Sequence, residues 1–165
     1  MRFVDTEQVF EERARAFCST LEADFGIGAD ALRKLRDVLL PLYTAALALS
    51  LPIASEDDLP EDTDRIRQER KAIEQRLANA GFQDGFWVVF DPLQLQRQDP
   101  LRTSVSDCMA DIWSDLKPGL EALETDRSHY FDSAVWEWSF SFRTHWGRHA
   151  IDALRAIHFQ LEDEG

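Results

Sequence analysis

Apolar residues recur along the first fifty positions with the spacing of helices. Phe10, Ala14, Phe17 and Leu21 stand four, three and four apart, one face of a helix over about Thr6 to Asp24. Asp5, with Gln8 three residues on, forms a capping-box signal at its start, and Gly26 and Gly28 end it. A second helix is expected from an N-cap at Asp30. Its main stripe is Leu32, Leu35, Val38, Leu39, Leu42, Ala46 and Leu49, and Leu40, Leu47 and Leu51 cover the opposite side. A helix apolar all round is a central one, and Pro41 inside it removes a backbone donor and predicts a kink.

The pattern then changes. "ASEDDLPEDTD", residues 54–64, is acidic and proline-containing and reads as a surface loop. "RIRQERKAIEQRLANAG" has a sparse stripe, Ile66, Ile73, Leu77 and Ala80, which predicts a helix at the edge of a bundle, closed by Gly81. "FWVVFDP" breaks the helical period and predicts extended chain over 86–90, followed by a polar loop to about Thr103.

"SVSDCMADIWSDLKPGLEAL" returns to helix, with Val105, Cys108, Met109, Ile112, Leu116, Leu120 and Leu123 inward. Pro118 either kinks it or starts a new segment, and "ETDRSHYFD" reads as a turn. The last helix is expected from about Asp132 to Leu161. Within it "WEWSFSF", 136–142, alternates like a strand, and "FWVVF" is then its obvious partner. No turn residue separates it from the helical series Trp146, Ala150, Ala153 and Ile157, which favours one long helix. The expectation is a single all-α domain over 1–165, a bundle of about five helices with a short extended piece at 86–90.

Composition sharpens this picture. A chain of 165 residues, 44% hydrophobic with eleven Phe and five Trp, can bury a core without disulfides or metal staples. Acidic residues outnumber basic ones 31 to 18, a formal charge of −13. Such a chain is repelled by phosphate backbones and anionic lipid, so neither nucleic acid nor membrane is expected as a partner. Cys18 and Cys108 fall in apolar helical patterns and read as free buried thiols of a reducing compartment. The longest uncharged run, Val38 to Ser55, falls short of a membrane span and holds Pro41 and Pro52. With no signal-peptide pattern in "MRFVDTEQVF", these features predict a cytoplasmic protein.

The candidate chemistry lies in "SFSFRTHWGRHAIDAL", residues 139–154. At about 100° per residue with Phe142 as centre, His149 falls within about 40° of the inward face, His145 about 60° off and Asp152 about 80° off. On the fourth helix Asp115 and Asp111 lie about 60° and about 100° from Ile112, on one side. If these margins face each other, His145, His149, Asp111 and Asp115 form a site for zinc, manganese or iron, with Asp107, Glu137 or Asp152 supporting it. The competing and commoner arrangement is a pair of core histidines hydrogen-bonded to carboxylates. Arg143 and Arg148, the nearest cations, suit an anionic ligand or pairing with the acidic excess. Trp136 and Phe140 point away from the inward face and need cover, from a second layer of the bundle, a protein partner or a second copy in a homodimer. Phosphate-binding glycine loops, G-x-S-x-G and CxxC are absent from the sequence.

"FDPL" (90–93), "SVSDCMADIWSDLKPGL" (104–120) and "AVWEWSFSFRTHWGRHAIDALRAIH" (134–158) resemble a bacterial family, domain of unknown function 5063. "FCSTLE" and "LLPLYTAALALSLP" fit it too. The resemblance implies a short, soluble, all-helical protein and carries no activity. Where that family tends to show paired acids, this chain has Asp107 followed by Cys108. Two functions follow as expectations. One is a non-catalytic binding or regulatory module using the aromatic C-terminal helix. The other is a metal-dependent hydrolase of the phosphoester or nucleotide class, with a His/Asp site between the fourth and last helices.

Overall fold

Helix α1, Thr6–Glu22, starts where the Asp5 carboxylate accepts a hydrogen bond from the Gln8 backbone N–H at 3.3 Å. Its whole stripe, Phe10, Ala14, Phe17 and Leu21, is fully buried. These coordinates are a computed structural model that describes residues 5–52, 58–60 and 62–163. Helix α2, Gly28–Leu47, begins two residues before the expected cap. Gly28 takes a φ of +58°, which its missing Cβ permits, and its N–H donates to the Ala80 carbonyl at 2.7 Å. That bond does the capping, and Asp30 sits in the first turn, where its charge faces the positive helix end.

Helix α2 continues through Pro41 and packs against α1 and the last helix. It is not sheathed all round, because Leu40 and Leu47 are exposed, and Leu51, expected on the same side, lies past the helix end. Helix α3, Thr63–Ala78, is capped by Asp62, which accepts from Arg65 N at 3.1 Å. Of the acidic loop expected over 54–64, residues 54–57 and 61 lie outside the described residues, 58–60 and 62 are loop, and 63–64 are already helix.

The extended piece is real and paired. Strand β1, Gly85–Val88, runs antiparallel to β2, Leu101–Ser104, with Gly85 opposite Ser104 and Val88 opposite Leu101. Its partner is therefore "LRTS", not "WEWSFSF". The ribbon ends directly in helix α4, Val105–Ser141, whose start is capped by Ser104 accepting from Asp107 N.

Helix α4 carries the one large departure from expectation. Residues 124–132 are not a turn but helix, bent sharply at Asp126, where φ is −153° and ψ 92°. The Asp126 carboxylate accepts from His129 N at 3.2 Å and the Ser128 hydroxyl at 3.0 Å, the geometry of a cap placed inside the helix. The chain reverses there, and "WEWSFSF" is helical. A π-helical turn, Phe142–Trp146, joins α4 without a break to α5, Gly147–Asp163. Among the described residues there are thus four helical stretches rather than about five, in one mostly all-α domain.

Because α4 doubles back, its own two limbs pack on each other. Trp138 is fully buried against Gly119, where an added Cβ would stand 2.6 Å from the indole nitrogen. The indole N–H donates to the Leu116 carbonyl at 3.2 Å. Phe10 lies 5.3 Å from Trp138 and 6.2 Å from Trp146, so α1 seals this layer. Beside the bend, Arg127 donates to both carboxylate oxygens of Glu11, which is almost wholly buried on α1. That pairing, together with Arg15, holds the Glu11 carboxyl below its ordinary range. Both cysteines are free and buried, as the apolar patterns predicted, and burial pushes the Cys108 thiol up to about 12. None of the described helices is long and apolar enough to cross a membrane.

Replacing Gly119 by Ala should therefore push Trp138 off its seat. Overpacking of this kind costs ~1–3 kcal/mol. Urea unfolding followed by tryptophan fluorescence should show a lower midpoint for G119A at unchanged slope, and an unchanged midpoint would contradict the packing described.

Candidate metal centre

Three elements meet around Asp111. Helix α3 contributes Arg70, the first limb of α4 contributes Asp107, Asp111 and Asp115, and the C-terminal run contributes His145 and His149. The Asp111 carboxylate divides its oxygens between two neighbours. Oδ1 accepts from Arg70 Nε at 2.9 Å and from a terminal guanidinium nitrogen at 2.6 Å. Oδ2 faces the imidazoles, 3.5 Å from His149 Nε2 and 3.8 Å from His145 Nε2. Asp111, His145 and His149 each offer one ligand atom, all within 4.8 Å of one another.

Donors held at about 2.1 Å from one cation stand roughly 3.0–3.6 Å apart. The two Asp111 separations need only a few tenths of an ångström of closure, and the imidazole pair somewhat more. The two rings are 4.7 Å apart between centroids and nearly perpendicular. All three residues are half-buried, so the triangle is reached by solvent without being fully open.

Asp115 takes a different place from the one expected. Its Oδ2 lies 2.6 Å from His145 Nδ1, on the far side of the ring from Asp111. A carboxylate there fixes the ring's orientation and keeps the proton on Nδ1, leaving Nε2 with its lone pair toward Asp111. Burial raises the Asp115 carboxyl above its ordinary value, against the lowering effect of His145. Burial also lowers His149 below 6.5, the neutral form a metal requires.

The remaining sequence candidates separate cleanly. Asp107 accepts from Arg70 at 2.7 Å and supports Asp111 through it. Asp152 is close enough to His149 to feel its charge, and burial raises its carboxyl. Glu137 is exposed and stands outside the trio. His129 lies beside the bend at Asp126, and His158 is exposed on α5. Trp136 and Phe140 stack face to face, 4.9 Å apart and 8° from parallel, with Phe140 exposed and Trp136 half-buried.

Arg70 is the residue that sequence reasoning missed, although a signal existed. It falls four after Ile66 and three before Ile73, on the inward stripe of α3, where a charge demands partners. The π turn was invisible too. It inserts a residue into the helical repeat, so a uniform 100° per residue misplaces the centre of the inward face. Phe142 is in consequence only half-buried while Trp146 is fully buried. Gly147 makes the turn sterically feasible, since a Cβ there would lie 2.5 Å from the Phe142 carbonyl oxygen.

The shifted histidine predicts a pH dependence. Well above pH 6.5 His149 is neutral in folded and unfolded chains alike and exacts no penalty. As pH falls below 6.5 the unfolded chain takes up the proton first, so stability drops. Asp115, raised in the fold, acts in the opposite sense at lower pH, protonating in the folded chain before the unfolded one. Thermal unfolding of metal-free protein should lose midpoint temperature from pH 7 downward, and H149Q should flatten that limb. An equal slope in the variant would remove His149 as its source.

The chain shares its fold with a protein of known structure. The crystal structure of protein BF1032 from Bacteroides fragilis is similar with a TM-score of 0.72 and 20% sequence identity, over 93% of this chain and 90% of that one. No curated protein matches. The model of one family matches residues 3–162, nearly the whole length, and the chain belongs to that family, Domain of unknown function (DUF5063).

Proposed function

We propose that the protein binds one divalent transition-metal ion, zinc, manganese or iron, through Asp111 Oδ2, His145 Nε2 and His149 Nε2. The observation that carries this reading is the convergence of those three atoms within 4.8 Å while Asp115 occupies the other nitrogen of His145. Two imidazoles and one carboxylate on a shared face are a donor set that such ions accept. The charge balance agrees. Three carboxylates, Glu74, Asp107 and Asp111, share the Arg70 guanidinium, and Asp115 stands beside His145, so a dication relieves repulsion there.

Three protein donors leave positions open for water and for an oxyanionic substrate. The activity this supports is metal-assisted hydrolysis, of the phosphoester or nucleotide class. The test comes before any substrate is known. Protein purified without added metal should carry close to one equivalent of ion by elemental analysis, or take it up with a rise in Tm. H145A and H149A should abolish uptake, and D115N should weaken it ~10–100-fold. Uptake should also decline below pH 6.5, where protons compete for His149. Less than about a tenth of an equivalent, with no thermal shift on adding zinc or manganese, overturns the reading.

The non-catalytic module has one observation in its favour, the Trp136–Phe140 stack with its exposed Phe140 ring. On that reading the stack covers itself with a second copy. Light scattering should then give a dimer mass that F140D returns to monomer, and a monomer at every concentration removes the homodimer.

A further inference from the structure

The three arginines of the C-terminal run, Arg143, Arg148 and Arg155, border one groove of about 480 Å³ between α2, the chain after β1, and α5. Its floor and rim are apolar, and Leu47, Phe90 and Ile151 keep half or more of their surfaces exposed there. The arginines face few acids, although the chain carries 31 acidic residues. Arg15, Arg33, Arg36, Arg65, Arg67, Arg70 and Arg127 are all ion-paired. Among the described residues, Arg148 and Arg155 make no ion pair.

Each instead lies over an aromatic ring. The Arg148 guanidinium stands 5.4 Å from the Phe90 centroid, and that of Arg155 stands 5.5 Å from Phe159. A guanidinium stacked by its face keeps its N–H edge free for a planar anion. Arg143 is already committed, donating to the Ser139 hydroxyl and the Leu49 carbonyl, and adds charge rather than a free edge. Asp152 is the one acid on the groove wall, so the local balance is three cations to one anion. In a chain of charge −13 that is a reversal of sign confined to an apolar groove.

We infer that this groove binds a small amphipathic monocarboxylate, with its apolar body along Leu47, Phe90 and Ile151 and its carboxylate held by Arg148 and Arg155. The size lies within the range of small-molecule sites, about 300–1,000 Å³. A monoanion fits better than a phosphate dianion, because the rest of the molecule repels the second charge. Asp152, on the same wall and within electrostatic reach of Arg148 and Arg155, disfavours a second anionic group beside the carboxylate. Asp111, His145 and His149 do not line the groove, so the inference stands apart from metal binding.

Displacement of the fluorescent anion 1-anilinonaphthalene-8-sulfonate by decanoate, with decanol as the neutral comparator, tests it. Decanoate should displace the dye and decanol should do so at least about tenfold more weakly, the worth of one charge-assisted bond. R148Q and R155Q should each weaken decanoate about tenfold or more and leave decanol unchanged. L47E, at an exposed position on the groove wall, should weaken both. Circular dichroism checks that each variant keeps its helix content, and the three sites are independent should one variant misfold. Equal binding of decanol, or decanoate binding indifferent to both arginine variants, overturns the inference. So does inorganic phosphate displacing the dye as well as decanoate, because the apolar body would then contribute nothing.

Discussion

The close approach of Trp138 to Gly119 decides how far apart the two limbs of α4 lie, and the rest of the C-terminal half depends on that spacing. A side chain at position 119 would wedge the limbs open. Without one, the indole reaches the Leu116 carbonyl and the limbs close to direct contact. Positions then pair outward from the bend at Asp126. Gly119 meets Trp138, and beyond them Asp115 and Asp111 meet His145 and His149. The His/Asp cluster thus depends on packing roughly one to three turns away along each limb. The bend itself is held from outside, by Arg127 on the buried carboxylate of Glu11. An apolar layer, an internal cap and a buried ion pair together set the separation on which any ion between the limbs relies.

Charge is arranged around that packing. Asp107, Asp111 and Asp115 recur one turn apart on a single face, and three carboxylates at that spacing repel one another. Arg70 offsets two of them from the neighbouring helix, and His145 engages the third. The planar guanidinium takes only one Asp111 oxygen. The other is left pointing at two imidazoles that burial and hydrogen bonding keep receptive. A lysine in place of Arg70 would lack the planar fork that reaches Asp111 through Nε and one terminal nitrogen while the other terminal nitrogen takes Glu74.

The stripes of α1, α3 and the first limb of α4 were legible because a helix that buries one face writes a 3.6-residue repeat into its sequence. The greater burial of His149 than His145 was legible for the same reason, and the extended nature of residues 86–88 followed from β-branched and aromatic content. Residues 101–104 were not, because "LRTS" is short, polar and half-exposed and is a strand only by pairing with β1. The bend at Asp126 defeats a reading by composition. Its neighbours are polar enough for a turn, yet a single capped residue reverses the chain while helix continues on both sides. Arg70 could have been found by asking what satisfies a charge on an apolar stripe. Asp115 could not have been assigned to Nδ1 rather than to an ion, because that choice rests on which side of the ring it lies.

The π turn links these features. Such a turn gives up regular hydrogen bonding, and it persists only where its surroundings hold it. Here Gly147 makes room for the Phe142 carbonyl, and Phe142 packs 4.8 Å from Trp146 and 5.2 Å from Tyr43. The extra residue turns His145 toward Asp115 while Phe142, Arg143 and Gly147 remain on the groove. In a regular helix a single phase would fix the angles between all of these residues, and the π turn shifts that phase between Phe142 and Gly147. The irregularity therefore sets the phase between the His/Asp cluster and the arginine groove, and Asp152, on the groove wall yet within electrostatic reach of His149, is where the two adjoin.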